Sequence, residues 1–172
     1  MIDIHVLTYS GTRQDWLDQC LASLATEPCT VHVVPGVDGN VGAGRAVGYT
    51  LGEHEFVGYV DSDDYVFPGV MRACLDGLKA HRGVVTMERH LWGAHLSARS
   101  YEGHHLTVYR REDVLPLLHV LPGHPYLCDR YVVGMLTPTQ LPVDGYAWRR
   151  HVGQGHLNAD EAQARKLREA LS

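Results

Sequence analysis

The sequence predicts an α/β fold in which a mostly parallel sheet is covered by helices on both faces. Two observations support this prediction: strand and helix patterns alternate through the first half of the chain, and an acidic cluster directly follows an apolar strand. Such sheets bind ligands at the carboxyl ends of their strands, where this cluster would lie. With 172 residues, of which 45% are hydrophobic and 20% charged, the chain suits one globular domain rather than a disordered or fibrous protein.

The first half of the chain contains four predicted strands and three predicted helices. Apolar residues alternate in the strands and recur at three- or four-residue spacing in the helices. The strands are predicted at Ile2–Thr8, Thr30–Val34, Phe56–Val60 and Val84–Met87. The helices are predicted after an N-cap at Thr12, after a glycine-rich turn at Gly39–Gly44, and with Pro68 in a first turn.

The second half of the chain is less regular. Residues 88–105 are rich in His, Gly and Ser and show no assignable pattern. Beyond them, strands are predicted at Leu106–Tyr109 and Tyr146–Arg150, and helices at Arg111–Leu118, at Tyr126–Leu136 and after an N-cap at Asn158. No repeat or long linker divides the chain, so we expect a single domain over residues 1–172.

Charge, hydropathy and cysteine content argue against several classes of protein. A net charge of −5 supplies no overall positive field for nucleic acid or anionic lipid. No apolar run approaches the roughly 20 residues that span a bilayer, and the N-terminus does not have the pattern of a signal peptide. The four cysteines are scattered without a CxxC pair, which favours reduced thiols and a cytoplasmic location.

The acidic cluster Asp61-Ser62-Asp63-Asp64 is the strongest functional signal in the sequence. Three carboxylates in four residues repel one another unless a cation or hydrogen-bond donors neutralise them. Their hard oxygen atoms suit Mg²⁺ or Mn²⁺. The alternative is a solvated turn in which an aspartate caps the next helix.

A second signal is the glycine-rich segment that runs from Gly39 to Arg45. Glycines such as Gly42 allow a ligand close to the backbone, and amides at the start of a helix attract phosphate. Arg45 lies one turn further on, where it can pair with a diphosphate. The segment is neither a Walker loop, since no Gly-Lys-Ser/Thr follows, nor the dinucleotide fingerprint, which follows a first strand. The alternative is a purely structural turn.

Four segments occur in the order known from one enzyme family. They are Leu7-Thr8-Tyr9-Ser10, the helix Trp16–Leu24, Asn40-Val41-Gly42-Ala43-Gly44-Arg45, and Gly58–Tyr65 with its acidic cluster. Together these segments resemble the nucleotide-sugar glycosyltransferases of the GT-A fold, specifically the family 2 type, over residues 1–80. The chain departs from the family pattern at Ser10, where Asn is usual, in the shortened segment Gly36–Gly39, and at Cys128, where Glu is usual.

The resemblance implies transfer of a sugar from a nucleoside diphosphate sugar to an acceptor hydroxyl. Residues 1–87 would form the nucleotide-binding half and 88–172 the acceptor half, which is minimal or completed by another subunit of a homo-oligomer. The family implies Mn²⁺ or Mg²⁺ held by Asp61, Asp63 and His151, and Asp129 as general base of an inverting single displacement. The implied donor-binding residues are Thr8, Tyr9, Asp38, Gly42, Arg45, Asp61, Ser62, Arg149 and Arg150.

Four of these residues have ordinary structural alternatives. Asp129 fits equally well as a helix carboxylate that pairs with a neighbour, and His151 as a surface histidine. Arg149 and Arg150 are adjacent on a predicted strand and point to opposite faces, so at most one of them would face a diphosphate.

The remaining histidine and tryptophan signals favour structural interpretations. His104 and His105 flank a predicted strand and could line an acceptor site, but we expect a pair of exposed loop histidines. Trp92 and Trp148 are expected in the core rather than as platforms on which a sugar stacks.

Two rival functions stay open from the sequence. One is a nucleotide-sugar-binding protein without turnover, whose short second lobe cannot seat an acceptor. The other is a metal-dependent phosphohydrolase, since haloacid dehalogenase-like phosphatases also begin from Asp-x-Asp after a strand, although Tyr65 stands where they have a small residue. The acceptor also stays open among a glycan, a lipid-linked molecule, a protein and a modified nucleic acid base.

Overall fold

The computed structural model describes residues 1–151 and 161–171, and within these residues the chain forms one eight-stranded sheet flanked by helices. The strands are β1 Ile2–Thr8, β2 Cys29–Pro35, β3 Phe56–Asp61, β4 Tyr65–Val66, β5 Gly83–Trp92, β6 His95–Tyr101, β7 Thr107–Arg110 and β8 Thr139–Arg149. The helices are α1 Gln14–Leu24, α2 Val41–Gly48, α3 Val70–Gly77, α4 Arg111–Val114, α5 Cys128–Leu136 and α6 Glu161–Ala170. The N-cap predicted at Asn158 lies outside the described residues.

The predicted α/β class is confirmed, and the sheet that carries it is mixed. The strand order is β2-β1-β3-β7-β5-β8-β4, with β6 paired to β5 outside this path. Strand β1 is parallel to β2 and β3, and β8 is parallel to β5. Between these groups β7 runs antiparallel to both β3 and β5. The parallel strands β1 and β3 therefore end side by side at one edge of the sheet.

The segment without a sequence pattern, residues 88–105, extends β5 and forms its hairpin partner β6. Strand β5 continues to Trp92 instead of ending at Met87. No side chain of β6 is fully buried, so no apolar alternation marks this strand in the sequence. Strand β8 starts at Thr139 rather than Tyr146 for the same reason, because none of its first six residues is buried.

The start of α1 differs from the sequence prediction. The Thr12 hydroxyl accepts a hydrogen bond from the Tyr9 amide at 2.7 Å and so closes a turn before the helix. The helix itself begins at Gln14, after an N-cap residue whose side chain makes no capping bond. Thr12 therefore shapes the loop between β1 and α1 rather than capping the helix.

The start of α3 depends on a carboxylate from another element. Gly69, with φ of 82°, is the N-cap, so Pro68 precedes the helix instead of lying in its first turn. The carboxylate of Glu27 accepts the amides of Gly69 and Met71 at 2.5 and 3.0 Å. These two bonds satisfy backbone donors that a helix start leaves without intrahelical partners.

Two hydrophobic clusters lie on the two faces of the sheet. The first packs α1 and α3 against alternate residues of β1 and includes Ile2, Ile4, Val6, Cys20, Leu24, Met71 and Cys74. The second packs α2 and α5 against the other face and includes Tyr49, Tyr59, Tyr109, Leu121 and Tyr131. All four cysteines carry free thiols, as predicted. Among the described residues, no helix is both long and apolar enough to cross a membrane.

At the amino end of β1, the buried carboxylate of Asp3 joins four segments of the chain. It accepts hydrogen bonds from Arg111 Nη2 at 2.6 Å, from the His54 amide at 2.7 Å and from His32 Nε2 at 2.8 Å. Burial alone raises the pKa of Asp3, but the bonds from His32 and His54 and the charge of Arg111 outweigh it and hold the pKa below 3.8. This network fixes the end of the sheet opposite to the acidic cluster.

Candidate functional site

A cleft of about 480 Å³ opens where β1 and β3 end and α5 begins. Of the predicted site residues, those that line it are Tyr9, Asp38, Arg45, Asp61, Ser62, Asp63, Asp129 and His151. Thr8, Gly42, Arg149 and Arg150 lie outside the lining formed by the described residues. The cleft therefore brings together residues from both halves of the chain.

The acidic turn after β3 divides its three carboxylates between the protein interior and the cleft. Asp64 is buried, and its Oδ1 accepts the Arg149 amide at 2.6 Å. Burial, together with the charges of Asp63 and Asp61, raises the pKa of Asp64 well above 3.8. The carboxylates of Asp61 and Asp63 are 31% and 32% exposed and line the cleft. Two carboxylates thus face the ligand space and the third holds the turn against β8.

Arg45 reaches the floor of the cleft from α2 and is only 3% exposed. Its Nη2 donates to Asp61 Oδ1, and its guanidinium lies over the Tyr59 ring, 3.6 Å from the centroid. Burial alone lowers the pKa of Arg45, but the charge of Asp61 outweighs it and the pKa is raised. Nε and Nη1 of Arg45 are buried without a hydrogen-bond partner among the described residues. Because Arg45 borders the cleft, its positive charge can stabilise an anionic group bound there.

Asp63 and His151 meet at the surface of the cleft. Oδ2 of Asp63 lies 2.6 Å from Nε2 of His151, and the imidazole packs beside the Trp16 ring, with 4.9 Å between centroids. His151 is therefore half-buried in the cleft wall and is not a free surface histidine. A carboxylate and an imidazole can both ligate a divalent ion, and the imidazole favours Mn²⁺ over Mg²⁺, which prefers oxygen ligands.

The loop after β1 and the segment after β2 form the opposite wall. Asp38 Oδ1 accepts the Ser10 amide at 3.2 Å. A hydrogen bond from the Ser10 side chain, and then this backbone bond, lower the pKa of the exposed Asp38 carboxyl. The Tyr9 ring packs so closely over Gly36 that a side chain there would collide with it. The Tyr9 hydroxyl is buried without a partner among the described residues, and burial raises its pKa. Thr8 instead turns its hydroxyl to the Val34 carbonyl at 3.4 Å.

The glycine-rich segment serves packing more than ligand binding. A Cβ on Gly42 would collide with the Leu121 carbonyl, so this glycine allows α2 to approach the turn before α5. The Val41 amide donates to the Pro125 carbonyl at 2.8 Å, and the Ala43 amide donates to Asn40 Oδ1 at 3.0 Å. These two helix-start amides therefore already have partners, and Arg45 supplies the positive charge of this segment beside the cleft.

The adjacent arginines at the end of β8 have separate structural contacts. Nε of Arg149 donates to the Asp63 carbonyl at 2.6 Å, so Arg149 supports the acidic turn from outside the cleft. The Arg150 guanidinium lies 4.0 Å from the Trp148 ring centroid and 5.5 Å from that of Trp92. The expectation of a core residue is wrong for Trp92, which is 56% exposed, whereas Trp148 packs against the first hydrophobic cluster and also lines the cleft.

Asp129 lies in the first turn of α5 and lines the cleft. Its Oδ2 is 3.7 Å from Nε2 of His104. The preceding residue, Cys128, is buried, and burial raises the pKa of its thiol to about 12. Cys128 is thus an inert core residue where the resembled family has Glu, and Asp129 is the only carboxylate that the described part of α5 presents to the cleft.

Glu88, His104 and His105 form a buried cluster beside Asp129 that the sequence did not indicate. Nδ1 of His105 lies 2.8 Å from Oε2 of Glu88, and the two imidazole rings are 3.9 Å apart. Burial lowers the pKa of His104 to about 4. The pKa of Glu88 is lowered because the His105 hydrogen bond outweighs its burial. The expectation of an exposed histidine pair is wrong: His105 is only 6% exposed, because the extension of β5 places Glu88 against it.

No family model matches the chain, and no curated protein matches it in sequence. Among solved structures, the fold is similar to that of S. aureus TarS. The complex of TarS residues 1–349 with UDP-GlcNAc gives a TM-score of 0.72 at 13% identity over 98% of this chain and 66% of that chain. The complex with UDP gives 0.67 at 14% identity, over 99% of this chain and 69% of that one. The bifunctional IspDF from Campylobacter jejuni gives 0.52 at 9% identity over 90% of this chain and 50% of that one.

These similarities show the fold of the chain. It has the Rossmann-like α/β fold of glycosyltransferases of the GT-A type, with a mixed sheet. The chain spans about two thirds of TarS 1–349 and 36% of a longer TarS structure.

Proposed function

We propose that this protein is a metal-dependent glycosyltransferase that moves a sugar from a nucleoside diphosphate sugar to an acceptor hydroxyl with inversion. The observation that carries the proposal is the buried guanidinium of Arg45, which lines the same cleft as the Asp63–His151 pair and Asp129. The complexes of TarS with UDP and UDP-GlcNAc support a nucleotide sugar as the donor class.

The nucleoside would bind between the loop after β1 and the segment after β2. Tyr9 supplies an aromatic ring there, and Asp38 supplies an exposed carboxylate that can accept from a base or ribose. The Ser10 amide holds that carboxylate in place at 3.2 Å. Ser62 is buried at the bottom of the cleft. It lies between Asp61 and Asp63, whose carboxylates face the part of the cleft that we propose for the diphosphate.

The diphosphate would bind over Arg45. In the transition state the departing diphosphate gains negative charge, and a fixed cation stabilises that charge without reorganisation. Arg45 meets this requirement because Tyr59 and Asp61 hold its guanidinium in place beside the cleft. Asp63 and His151, with Asp61 beside them, would hold Mn²⁺ or Mg²⁺, which when bound supplies positive charge for the same diphosphate.

Asp129 would take the proton from the acceptor hydroxyl. It lies at the start of α5, on a different element from the residues proposed to hold the diphosphate. A base that activates the acceptor while the diphosphate leaves from the opposite face of the sugar gives a single displacement, which inverts the anomeric carbon. Trp148 and His105 line the cleft as well and would limit the water that reaches the donor.

The proposal is tested with a panel of nucleoside diphosphate sugars. Binding is measured by thermal shift with and without Mn²⁺, since a ligand at 100-fold its dissociation constant stabilises the folded state by about 2.7 kcal/mol. Nucleoside diphosphate release is then measured with candidate acceptors from the four classes left open by the sequence. Metal-dependent binding followed by acceptor-dependent release supports the proposal. Binding without release from any donor supports the non-catalytic alternative, and release of phosphate from simple phosphomonoesters supports a phosphohydrolase.

A further inference from the structure

The strongest cluster of ligating side chains outside the proposed donor site is formed by Glu88, His104 and His105. One carboxylate oxygen and one nitrogen from each imidazole lie within 4.8 Å of one another. All three residues are at least half-buried, and the carboxylate of Glu88 is only 3% exposed. They come from β5 and from the connection between β6 and β7, so the fold, not the local sequence, brings them together.

We propose that Glu88, His104 and His105 form a metal site for a zinc-type divalent ion, separate from the acidic turn. The proposal does not depend on sugar transfer. Two imidazole nitrogens and one carboxylate oxygen are a ligand set that zinc accepts, with a fourth position left for water. The set differs from that at the acidic turn, where carboxylate oxygens predominate and favour a harder ion.

The distances between the ligand atoms fit such an ion. In a tetrahedral site with metal–ligand bonds of about 2.0–2.1 Å, the ligand atoms lie about 3.3 Å apart. Oε2 of Glu88 is 2.8 Å from Nδ1 of His105 and 3.9 Å from Nδ1 of His104, so the observed values bracket that spacing. A shift of about 0.5 Å of each imidazole relative to Glu88 brings both pairs close to it.

The imidazole of His104 makes no hydrogen bond to the two carboxylates beside it. Nδ1 of His104 lies 3.9 Å from Glu88 and Nε2 lies 3.7 Å from Asp129, and both distances are too long for a hydrogen bond. An ion bound at Nδ1 would leave the proton on Nε2, which points toward the Asp129 carboxylate. Histidines that ligate metals commonly present their other ring nitrogen to a carboxylate in this manner. The ion would therefore also orient His104 against Asp129.

The test is metal binding to the chelator-treated full chain without nucleotide. Co²⁺ replaces zinc, and its visible absorption reports the number and geometry of bound ions. Zn²⁺ affinity is then measured by competition with a chromogenic chelator. We expect one tetrahedral site in the wild type. His104→Ala and Glu88→Gln should each lower its affinity by at least about 10-fold, because both remove a ligand.

Two matched variants separate this site from other sources of binding. His81→Ala removes an exposed histidine and should leave the affinity unchanged. Asp63→Asn changes the acidic turn and should leave the tetrahedral Co²⁺ absorption unchanged, whatever it does to an ion bound at that turn. Circular dichroism of His104→Ala checks that the chain still folds. Absence of a tetrahedral Co²⁺ spectrum, binding that survives His104→Ala, or binding lost only in Asp63→Asn would each overturn the proposal.

Discussion

The guanidinium of Arg45 stacks on the ring of Tyr59, with 3.6 Å between its Cζ and the ring centroid. Both residues are buried, and Asp61 pairs with the same guanidinium at the end of β3. The stacking and the ion pair fix the orientation of Arg45 before any ligand arrives. A ligand phosphate thus meets a cation that is already ordered, which lowers the entropic cost of the contact.

Arg45→Ala should weaken binding of a nucleoside diphosphate much more than binding of the bare nucleoside. A charge-assisted hydrogen bond contributes about 1.5–3 kcal/mol, which corresponds to roughly 10- to 100-fold in affinity. Calorimetry with both ligands measures the difference. Arg45→Lys keeps the charge but loses the planar fork and should fall between wild type and Arg45→Ala. Arg82→Ala, at an exposed position outside the cleft, is the control. An equal loss for both ligands would mean that Arg45 only supports the loop.

Asp63→Asn and His151→Ala should each abolish the dependence of nucleotide binding on Mn²⁺. The two side chains lie 2.6 Å apart, so removal of either leaves an incomplete ligand set. The fold should persist in Asp63→Asn, because Arg149 is bound to the backbone carbonyl of Asp63 and not to its carboxylate. Nucleotide affinity is measured with Mn²⁺ and with chelator. Asp76→Asn, on the exposed face of α3, is the control, and a Mn²⁺ effect that persists in Asp63→Asn would contradict the assignment.

Asp3→Asn should destabilise the fold at neutral pH by about 3 kcal/mol, because it removes one charge of a buried pair with Arg111. The folded-state pKa of Asp3 is lower than the unfolded value of 3.8. The carboxylate therefore stabilises the fold fully above pH 3.8, and this stabilisation is lost as pH falls through the folded-state pKa. Urea unfolding of wild type and variant at several pH values measures this. The difference should shrink as the pH falls below about 4. If the difference in unfolding free energy between wild type and Asp3→Asn grows below pH 4, the predicted direction of the pH dependence is wrong.

The sequence was sufficient to predict which residues converge on the cleft from β1, β3 and α2. Tyr9, Asp61 and Arg45 lie where parallel strands end or a helix follows a strand, so local pattern and the geometry of parallel sheets place them together. Asp129 was predicted only from the family resemblance, which implies a general base at the start of this helix. Thr8 and Gly42 were predicted at the donor site but lie outside the lining of the cleft. The direction of the Thr8 side chain at the end of β1 depends on tertiary packing. The same holds for the close approach of the turn at Leu121 to Gly42.

The cluster of Glu88 and the two histidines could not be predicted, for a different reason. Glu88 belongs to the polar end of β5, which has no apolar alternation to mark it as a strand. His105 is 17 residues away in sequence, and its burial depends on the antiparallel insertion of β7 between β3 and β5. The sequence contains 12 histidines, but they are dispersed, and their number does not show which of them meet. Contacts of this kind are set by strand order, which periodicity does not encode.

Asp129→Asn should abolish most of the transfer while leaving donor binding intact. The substitution removes the proton acceptor at nearly constant size, and the residues proposed to bind the diphosphate lie on other elements. Loss of a general base lowers the rate by roughly 10²- to 10⁴-fold. Donor affinity and turnover are measured on the same preparation with a competent acceptor. Asp113→Asn is the matched control, because Asp113 also lies in the first turn of a helix, α4, but outside the cleft.

The anomeric configuration of the product tests the second part of the same assignment. A base that activates the acceptor for a single displacement gives inversion, and nuclear magnetic resonance of the wild-type product reads the configuration directly. Near-normal turnover in Asp129→Asn would remove Asp129 from the mechanism. Retention would exclude the single displacement even if the variant is inactive, because it requires an even number of displacements or attack from the face of the leaving diphosphate. Slow transfer by Asp129→Ala that rises with added formate would instead support the base, since a small carboxylate can occupy the space left by the truncated side chain.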